Sequence, residues 1–178
     1  TIQDIMRKDE GVDGDAQRLS QLVWLIFLKV LDDSEKQKQF LDSSYASVIL
    51  VEYQWHTWAA DPAGITGDAL LDFINNELFP ALSQLQSAGN KRADIIRAAF
   101  EGSYNYMKNG TLLRQVINKI NEIDFNSTDD RHSFNDIYEN LLASLQSAGN
   151  AGEYYTPRPV TKFIVEMVNP QLGEKIFD

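Results

Sequence analysis

The chain has 178 residues, no cysteine, and 16 Lys and Arg against 26 Asp and Glu, for a net charge of −10. The lack of cysteine excludes disulfides and thiolate metal sites and fits a reducing compartment, so we expect a cytoplasmic protein. No apolar run approaches the roughly 20 residues that span a bilayer, so no membrane partner is expected. Two isolated histidines, His56 and His132, argue against a zinc site. The acidic excess argues against a broad basic surface that binds DNA phosphates.

The first long helix is predicted over residues 16–31, with Asp13 or Asp15 as its N-cap. Its second half, residues 22–28, is apolar on all sides. A helix of this kind must be surrounded by others, so we expect it at the centre of a helical bundle. The charged stretch that follows, residues 32–39, is interpreted as solvent-exposed helix.

Residues 44–60 contain two sequence patterns that can be interpreted. Residues 48–51 are rich in branched aliphatic side chains and could be extended. Trp55 and Trp58 lie on one side of a turn, where they could stack on bases or pack in a core. The acidic charge of the chain favours the core interpretation.

Further helices follow from apolar positions at helical spacing. One begins at Thr66, and Pro80 should bend or end it. Others are predicted over residues 92–101, from a Thr111 cap to about Ile123, and over residues 134–145. The inward positions of these helices are Leu70, Leu71, Phe73, Ile74, Leu78, Ile95, Ile96, Ala99, Phe100, Leu113, Val116, Ile117, Ile120, Ile123, Phe134, Ile137, Tyr138, Leu141, Leu142 and Leu145.

A hexapeptide, Leu-Gln-Ser-Ala-Gly-Asn, occurs at residues 85–90 and again at 145–150. Two copies do not establish a repeat protein. We interpret both as helix C-termini that are capped by glycine, Gly89 and Gly149. The nearest approach to a basic cluster is Lys91, Arg92, Arg97, Lys108 and Arg114. We interpret this cluster as solvated helix surface, with a patch that contacts phosphates as the alternative.

Residues 149–159, Gly-Asn-Ala-Gly-Glu-Tyr-Tyr-Thr-Pro-Arg-Pro, are the most informative stretch. Thr156 is a suitable N-cap and Pro157 suits the first position of a helix, whose free N–H groups attract anions. The helix should end at Asn169-Pro170, followed by a turn and a short buried strand over residues 175–178. The stretch is either a rigid helix start with packing tyrosines or a ligand-binding loop.

Residues 152–158 resemble the Gly-[Gln/Glu]-[Tyr/Phe]-[Tyr/Phe]-Thr-Pro-[Arg/Lys] motif of N6-adenine DNA methyltransferases, and in particular the methylation (M) subunit of type I restriction–modification systems. Residues 15–33 and the set Trp55, Trp58 and Ala59 resemble the helical domain of that subunit more weakly. The resemblance implies a mainly α fold. Residues 1–148 would form a helical bundle domain, and residues 149–178 the first helix and strand fragment of a truncated α/β methyltransferase domain that uses S-adenosyl-L-methionine.

The resemblance further implies that the full-length subunit transfers methyl from S-adenosyl-L-methionine to adenine N6 in DNA. The cofactor-binding residues would be Glu153, Tyr154, Tyr155, Thr156, Pro157 and Arg158. The family's Pro-x-x-Gly-x-Gly and Asn-Pro-Pro-[Phe/Tyr] motifs do not occur among the 178 residues, so no catalytic residue is assigned and the chain alone is expected to be inactive.

The implied partners are the specificity subunit, a second methylation subunit and the restriction subunit of a type I complex, with DNA in the assembled complex. An alternative remains open. In it the chain is a non-enzymatic helical interaction module, and residues 152–159 are a rigid connector.

Overall fold

The computed structural model describes residues 1–86, 88–125, 158–171 and 173–175. The described residues form helices joined by turns and loops, and no strand occurs among them, which confirms the mainly α prediction for these ranges. The chain divides into two units, Thr1–Tyr138 and Glu139–Asp178. The helix predicted over residues 134–145 lies outside the described residues.

The first unit begins with α1 (Ile2–Met6) and α2 (Asp15–Leu41). With 27 residues, α2 runs ten residues beyond the predicted end and takes in the charged stretch. Gly14, and neither of the two predicted aspartates, is its N-cap. The expectation that α2 is enclosed on all sides is wrong, because Val23 is 52% exposed and Val30 is 41% exposed. Burial is confined to one side of α2, which also carries Asp32 and Glu35.

A 3-10 turn (Val51–Tyr53) and the short α3 (Trp55–Trp58) follow. Both tryptophans are buried, with ring centroids 5.2 Å apart in an edge-to-face arrangement. Trp58 also packs against Phe73. The tryptophan pair therefore belongs to the core, as predicted, and is not available for base stacking.

A continuous helical run then consists of α4 (Gly67–Asp72), a π-helical segment (Phe73–Leu78) and α5 (Phe79–Ser83). Its buried residues recur every four positions, at Leu70, Ile74, Leu78 and Leu82. Pro80 does not end the run, and it lies at the start of α5, where a missing N–H donor is tolerated best. The π-helical segment lies directly before it.

The remaining helices in the described part of this unit are α6 (Lys91–Phe100) and α7 (Gly110–Asn121). Asn109, and not Thr111, caps α7 by accepting from the backbone N–H groups of Thr111 and Leu112. Ile95, predicted to face inward, is 61% exposed, whereas Ile96 and Phe100 are buried. The α7 stripe is buried as predicted, at Leu113, Val116, Ile117 and Ile120.

The first hexapeptide is not a helix stop signal. α5 ends at Ser83, well before Gly89, and Asn90 is the N-cap of α6. The described residues of this copy, 85, 86 and 88–90, therefore precede a helix, and Gly89 among them has a φ of +85°. The second copy lies outside the described residues.

The second unit contains α8 (Arg158–Val168). The helix ends before Asn169-Pro170, as predicted, and Gly173 adopts φ of +95° in the predicted turn. The residues of its apolar positions, Val160, Phe163, Ile164, Met167 and Val168, are each at least 45% exposed. Residues 176–178 are not described, so the strand stays a prediction. No helix in the described ranges is long and apolar enough to cross a membrane.

Candidate functional site

The predicted cofactor residues lie at the start of α8. Glu153, Tyr154, Tyr155, Thr156 and Pro157 fall outside the described residues, and Arg158 is the first residue of the helix. Along α8, Lys162 Nζ lies 3.8 Å from Glu166 Oε1. The mutual arrangement of the six motif residues therefore remains a prediction, and the described geometry here is the position of the helix start.

In the first unit, charged side chains that the sequence assigned to solvent form buried clusters. Asp32 is 6% exposed, and its Oδ1 lies 2.6 Å from Nδ1 of His56 in α3. Lys36 Nζ lies 2.9 Å from Asp32 Oδ2 and forms an ion pair with it. The Asp32 carboxylate thus joins α3 to the middle of α2.

A second cluster surrounds Glu35, which is 5% exposed. Its carboxylate accepts hydrogen bonds from the hydroxyls of Tyr45 and Ser47, and Arg92 Nη1 lies 3.6 Å away. Arg92 also donates to the Tyr45 hydroxyl. Burial and the negative charge of Glu35 raise the pKa of the Tyr45 hydroxyl above its usual value. These contacts attach the loop after α2 to both α2 and α6.

Arg114 of α7 is the most extensively bonded of the buried cations described. Its guanidinium donates five hydrogen bonds to backbone carbonyls, those of Trp58, Ala59, Asp61 and, twice, Ile65. Burial lowers the pKa of this guanidinium, although arginine stays charged in proteins. Arg114 therefore holds the loop between α3 and α4, and the interpretation of this residue as solvated helix surface is wrong.

Asp9 connects the turn after α1 to the segment before α7. Its carboxylate, 3% exposed, accepts from the backbone N–H groups of Gly11, Lys108 and Asn109 at 2.8–3.1 Å. Gln21 supports the same segment, because its amide donates to Asn105 and accepts from the backbone N–H of Tyr106. Residues 105–109 are thereby held against α1 and α2.

These clusters account for contacts between elements, and within the described ranges no group of three or more potential metal-ligating side chains occurs. The sequence did contain a signal for three of them. On α2, Asp32 and Glu35 follow the buried Leu25 and Leu28 at successive spacings of three to four residues. This spacing places both carboxylates on the buried side of the helix. Arg114 likewise lies three residues before the buried Ile117 on α7. No comparable signal marks Asp9, whose partners Lys108 and Asn109 are far away in sequence.

Comparison with known proteins matches two parts of the chain to protein families. Residues 1–120 match the family described as the HsdM N-terminal domain, and residues 129–178 match the N-6 DNA Methylase family. The chain is 58% identical, over its whole length, to the type I restriction enzyme EcoEI methylase subunit of Escherichia coli. It is 24% identical over 90% of its length to the StySPI methylase subunit of Salmonella potsdam.

Two solved structures are similar. A modification subunit of a putative type I restriction enzyme from Vibrio vulnificus aligns with a TM-score of 0.80 and 44% identity over 97% of this chain and 40% of that one. A chain from a study of complex assembly and conformational transition of the type I R-M system aligns with a TM-score of 0.83 and 37% identity, over 97% of this chain and 34% of that one.

The chain spans 37% of the length of the EcoEI subunit and 28% of the StySPI subunit. The family match covers most of the chain, and the helical fold of the described residues agrees with it. The chain therefore belongs to the HsdM N-terminal domain family, the helical N-terminal domain of the methylation subunits of type I restriction–modification systems.

Proposed function

We propose that this chain is the N-terminal part of a type I methylase subunit that transfers a methyl group from S-adenosyl-L-methionine to adenine N6 in DNA. One observation carries the proposal: the 58% identity to the EcoEI methylase subunit extends over the whole chain, including the tyrosine motif. The match of residues 129–178 to the N-6 DNA Methylase family supports it.

The two parts of the chain have different roles in this proposal. Residues 1–148 are the helical domain, which contacts partner subunits and helps to enclose DNA. Residues 149–178 are the start of the methyltransferase domain and contribute one edge of the cofactor pocket. The partners are the specificity subunit, a second methylation subunit and the restriction subunit. The similarity to a chain from a study of type I complex assembly supports a role in assembly.

The chemistry of the motif fits S-adenosyl-L-methionine. When bound, this cofactor supplies a methyl group on a sulfonium centre. The rings of Tyr154 and Tyr155 suit its adenine face and its cationic sulfur, by stacking and by cation–π attraction. Because α8 begins at Arg158, directly after the motif in sequence, the backbone N–H groups of its first turn and Thr156 can hold a carboxylate. Arg158 can pair with the same carboxylate or with a DNA phosphate, and Glu153 and Pro157 complete the edge of the pocket.

The motif is tested by substituting Tyr155→Ala and Thr156→Ala together in the full-length subunit. If these residues hold the cofactor, the dissociation constant for S-adenosyl-L-methionine rises at least about tenfold, which corresponds to only ~1.4 kcal/mol. Calorimetric titration measures the affinity, and size-exclusion chromatography shows that assembly with the specificity subunit persists.

The matched control is Asn90→Ala, which removes the side chain that caps α6 by accepting from the backbone N–H of Arg92. Both changes cost a helix cap, worth about 1 kcal/mol. Only the motif variant should lose cofactor affinity. If the two variants show the same lowered melting temperature and normal cofactor binding, the motif is a structural joint and the site assignment is wrong.

A further inference from the structure

An apolar groove lies on the surface of the first unit, between α2 and the C-terminal end of α6. Its volume is about 400 Å³, and none of the described residues that line it is charged. Its walls are mainly aromatic, with Trp24 and Phe27 on one side and Phe100 and Tyr104 on the other. A concave and mostly apolar surface of this size is typical of a binding site. It is called the α2–α6 groove below.

The two helices that flank the groove are antiparallel. As the residue number falls along α2, the number of the residue in contact with it rises along α6 and the connection that follows. The contacts are the ion pair Glu35–Arg92, the ring pair Phe27–Phe100 with centroids 6.0 Å apart, and the hydrogen bond from Gln21 to Asn105. The groove is therefore a seam between two neighbouring helices.

Exposed apolar side chains extend the groove along both helices. Val23, Phe27 and Val30 lie on one face of α2, because they follow one another at spacings of four and three residues. Val23 is 52% exposed and Val30 is 41% exposed. On α6, Ile95 is 61% exposed and precedes the groove residue Ala99 by about one turn. Single exposed apolar residues are common, but a continuous apolar surface along two helices marks an interaction site.

The charged residues of the two helices near the groove are largely neutralised inside the domain. On α2, Lys29 pairs with Asp33 at 2.5 Å, and on α6, Arg97 pairs with Asp94 at 2.9 Å. Glu101 is an exposed acid at the C-terminal end of α6. Apolar contacts must therefore hold the occupant of the groove. The charge of −10 on this chain favours an occupant with basic residues beside its apolar face and disfavours a second acidic copy of the chain.

The form of the groove fits an α-helix. Helices pack by placing the side-chain ridges of one into the grooves of another. An amphipathic helix docks through apolar residues at positions i, i+3, i+4 and i+7. The stretch from Val23 to Val30 rises by about 10 Å, which corresponds to about two turns. Addition of a strand requires the edge of a sheet, and no strand occurs in the part of the chain that the structure describes.

We propose that the α2–α6 groove binds an amphipathic helix of the specificity subunit. The inference rests on the proposed function, which gives this domain a role in assembly without locating the surface that performs it. The apolar face of the bound helix covers Val23, Val30 and Ile95, and basic residues at its border lie near Glu101. A helix of the restriction subunit and a second copy of this chain are the other occupants that the experiment distinguishes.

The experiment uses the full-length methylase subunit and its specificity subunit. The groove variant carries Val23→Asp and Ile95→Asp, both at exposed positions. The matched control carries Leu50→Asp and Val51→Asp, which replace side chains that are 62% and 65% exposed and do not line the groove. Mass photometry over a dilution series measures the dissociation constant of the complex, and thermal melting of the methylase subunit alone measures its folding.

We expect the dissociation constant for the specificity subunit to rise at least about tenfold in the groove variant, because a buried interface anchor contributes at least that factor. The control should assemble like the wild type. The melting temperature and the cofactor affinity of the methylase subunit should be unchanged in both variants. If the groove variant does not fold, Ala99→Gln, at an exposed residue that lines the groove, fills it without a charge and gives the same test.

A photo-crosslinking amino acid in place of Ile95 identifies the occupant in the complex that contains all three kinds of subunit. Cross-links to residues of the specificity subunit three and four positions apart are the expected result. Cross-links to the restriction subunit or to a second methylase subunit would overturn the inference.

Equal dissociation constants for the groove variant and the control would also overturn it. Failure of the proposed function is distinct, because in that case the wild-type complex itself would not methylate DNA. If the wild-type complex methylates DNA and the groove variant assembles normally, the inference about the groove alone is wrong.

Discussion

At the scale of single residues, stability depends on charged side chains that satisfy buried backbone groups. Arg114 binds four carbonyls in the segment between α3 and α4, and Asp9 accepts from three backbone N–H groups. A buried backbone group without a partner costs about 1–3 kcal/mol. Removing either side chain would leave several such groups unpaired, so each side chain stabilises a whole loop.

We therefore expect Arg114→Met to lower the free energy of unfolding by about 2 to 4 kcal/mol. Arg114→Lys should recover only part of this loss, because an ammonium cannot reproduce the planar guanidinium fork. Lys119→Met, an exposed position on the same helix, is the control and should change stability by less than ~0.5 kcal/mol. Urea unfolding measures all three variants, and equal midpoints for Arg114→Met and Lys119→Met would refute the role given to Arg114.

Glycine is required where two helices begin next to each other. A Cβ on Gly110, the first residue of α7, would overlap the carbonyl oxygen of Gly67, the first residue of α4. The overlapping atoms belong to the backbone, which cannot relax to relieve the overlap as a flexible side chain can. The close approach of α4 and α7 thus depends on the absence of a side chain at one residue.

At the scale of elements, the second half of α2 is stabilised by polar contacts from other parts of the chain. Its last turns carry exposed apolar residues, Phe40 at 91% and Leu41 at 82%. The inward contacts of this half come from Asp32 with His56 and from Glu35 with Tyr45 and Ser47. The helix therefore continues through a charged stretch because its buried carboxylates have partners.

The Tyr45 hydroxyl makes this attachment dependent on pH. Its folded-state pKa is raised above the usual 10.0, first by burial and then by Glu35. The unfolded chain consequently releases the proton at lower pH than the folded chain does. The contribution to stability is complete below about pH 10 and is lost as the pH rises through the folded-state pKa.

We expect Tyr45→Phe to be about 1 kcal/mol less stable than the wild type at pH 8, because it lacks the hydroxyl contacts. This difference should shrink between pH 10 and 11.5, where the wild type alone loses the contribution of a protonated Tyr45. Urea unfolding at pH 8, 10 and 11.5 measures the difference, with Tyr104→Phe, at an exposed tyrosine, as the control. A difference that stays constant with pH would contradict the linkage.

At the scale of the whole molecule, the 178 residues carry a charge of −10 and contain neither the Pro-x-x-Gly-x-Gly nor the Asn-Pro-Pro motif. We expect the isolated chain to show no methyl transfer and to bind S-adenosyl-L-methionine and non-specific duplex DNA weakly or not at all. Under the proposed function these residues supply one edge of the cofactor pocket, and a net negative charge repels phosphates. Calorimetric titration at 0.15 M salt measures both affinities, and micromolar cofactor binding would show that the pocket is largely present.

The sequence by itself determined the helical character, the burial of the tryptophan pair, the α7 stripe and the end of α8 before Asn169-Pro170. These features follow from side-chain spacing and local backbone chemistry, which act within a few residues. It also determined the family, because the tyrosine motif at residues 152–158 is a short, contiguous pattern.

The tertiary structure alone decided which partners satisfy the buried charges. Asp32, Glu35, Arg114 and Asp9 are all residue types that are mostly exposed in proteins. Each is buried here with a partner from another segment, such as the backbone of Lys108 for Asp9. The spacing on a helix can indicate the buried side, but the cost of burying a charge is offset only by such a partner, which the local sequence does not supply.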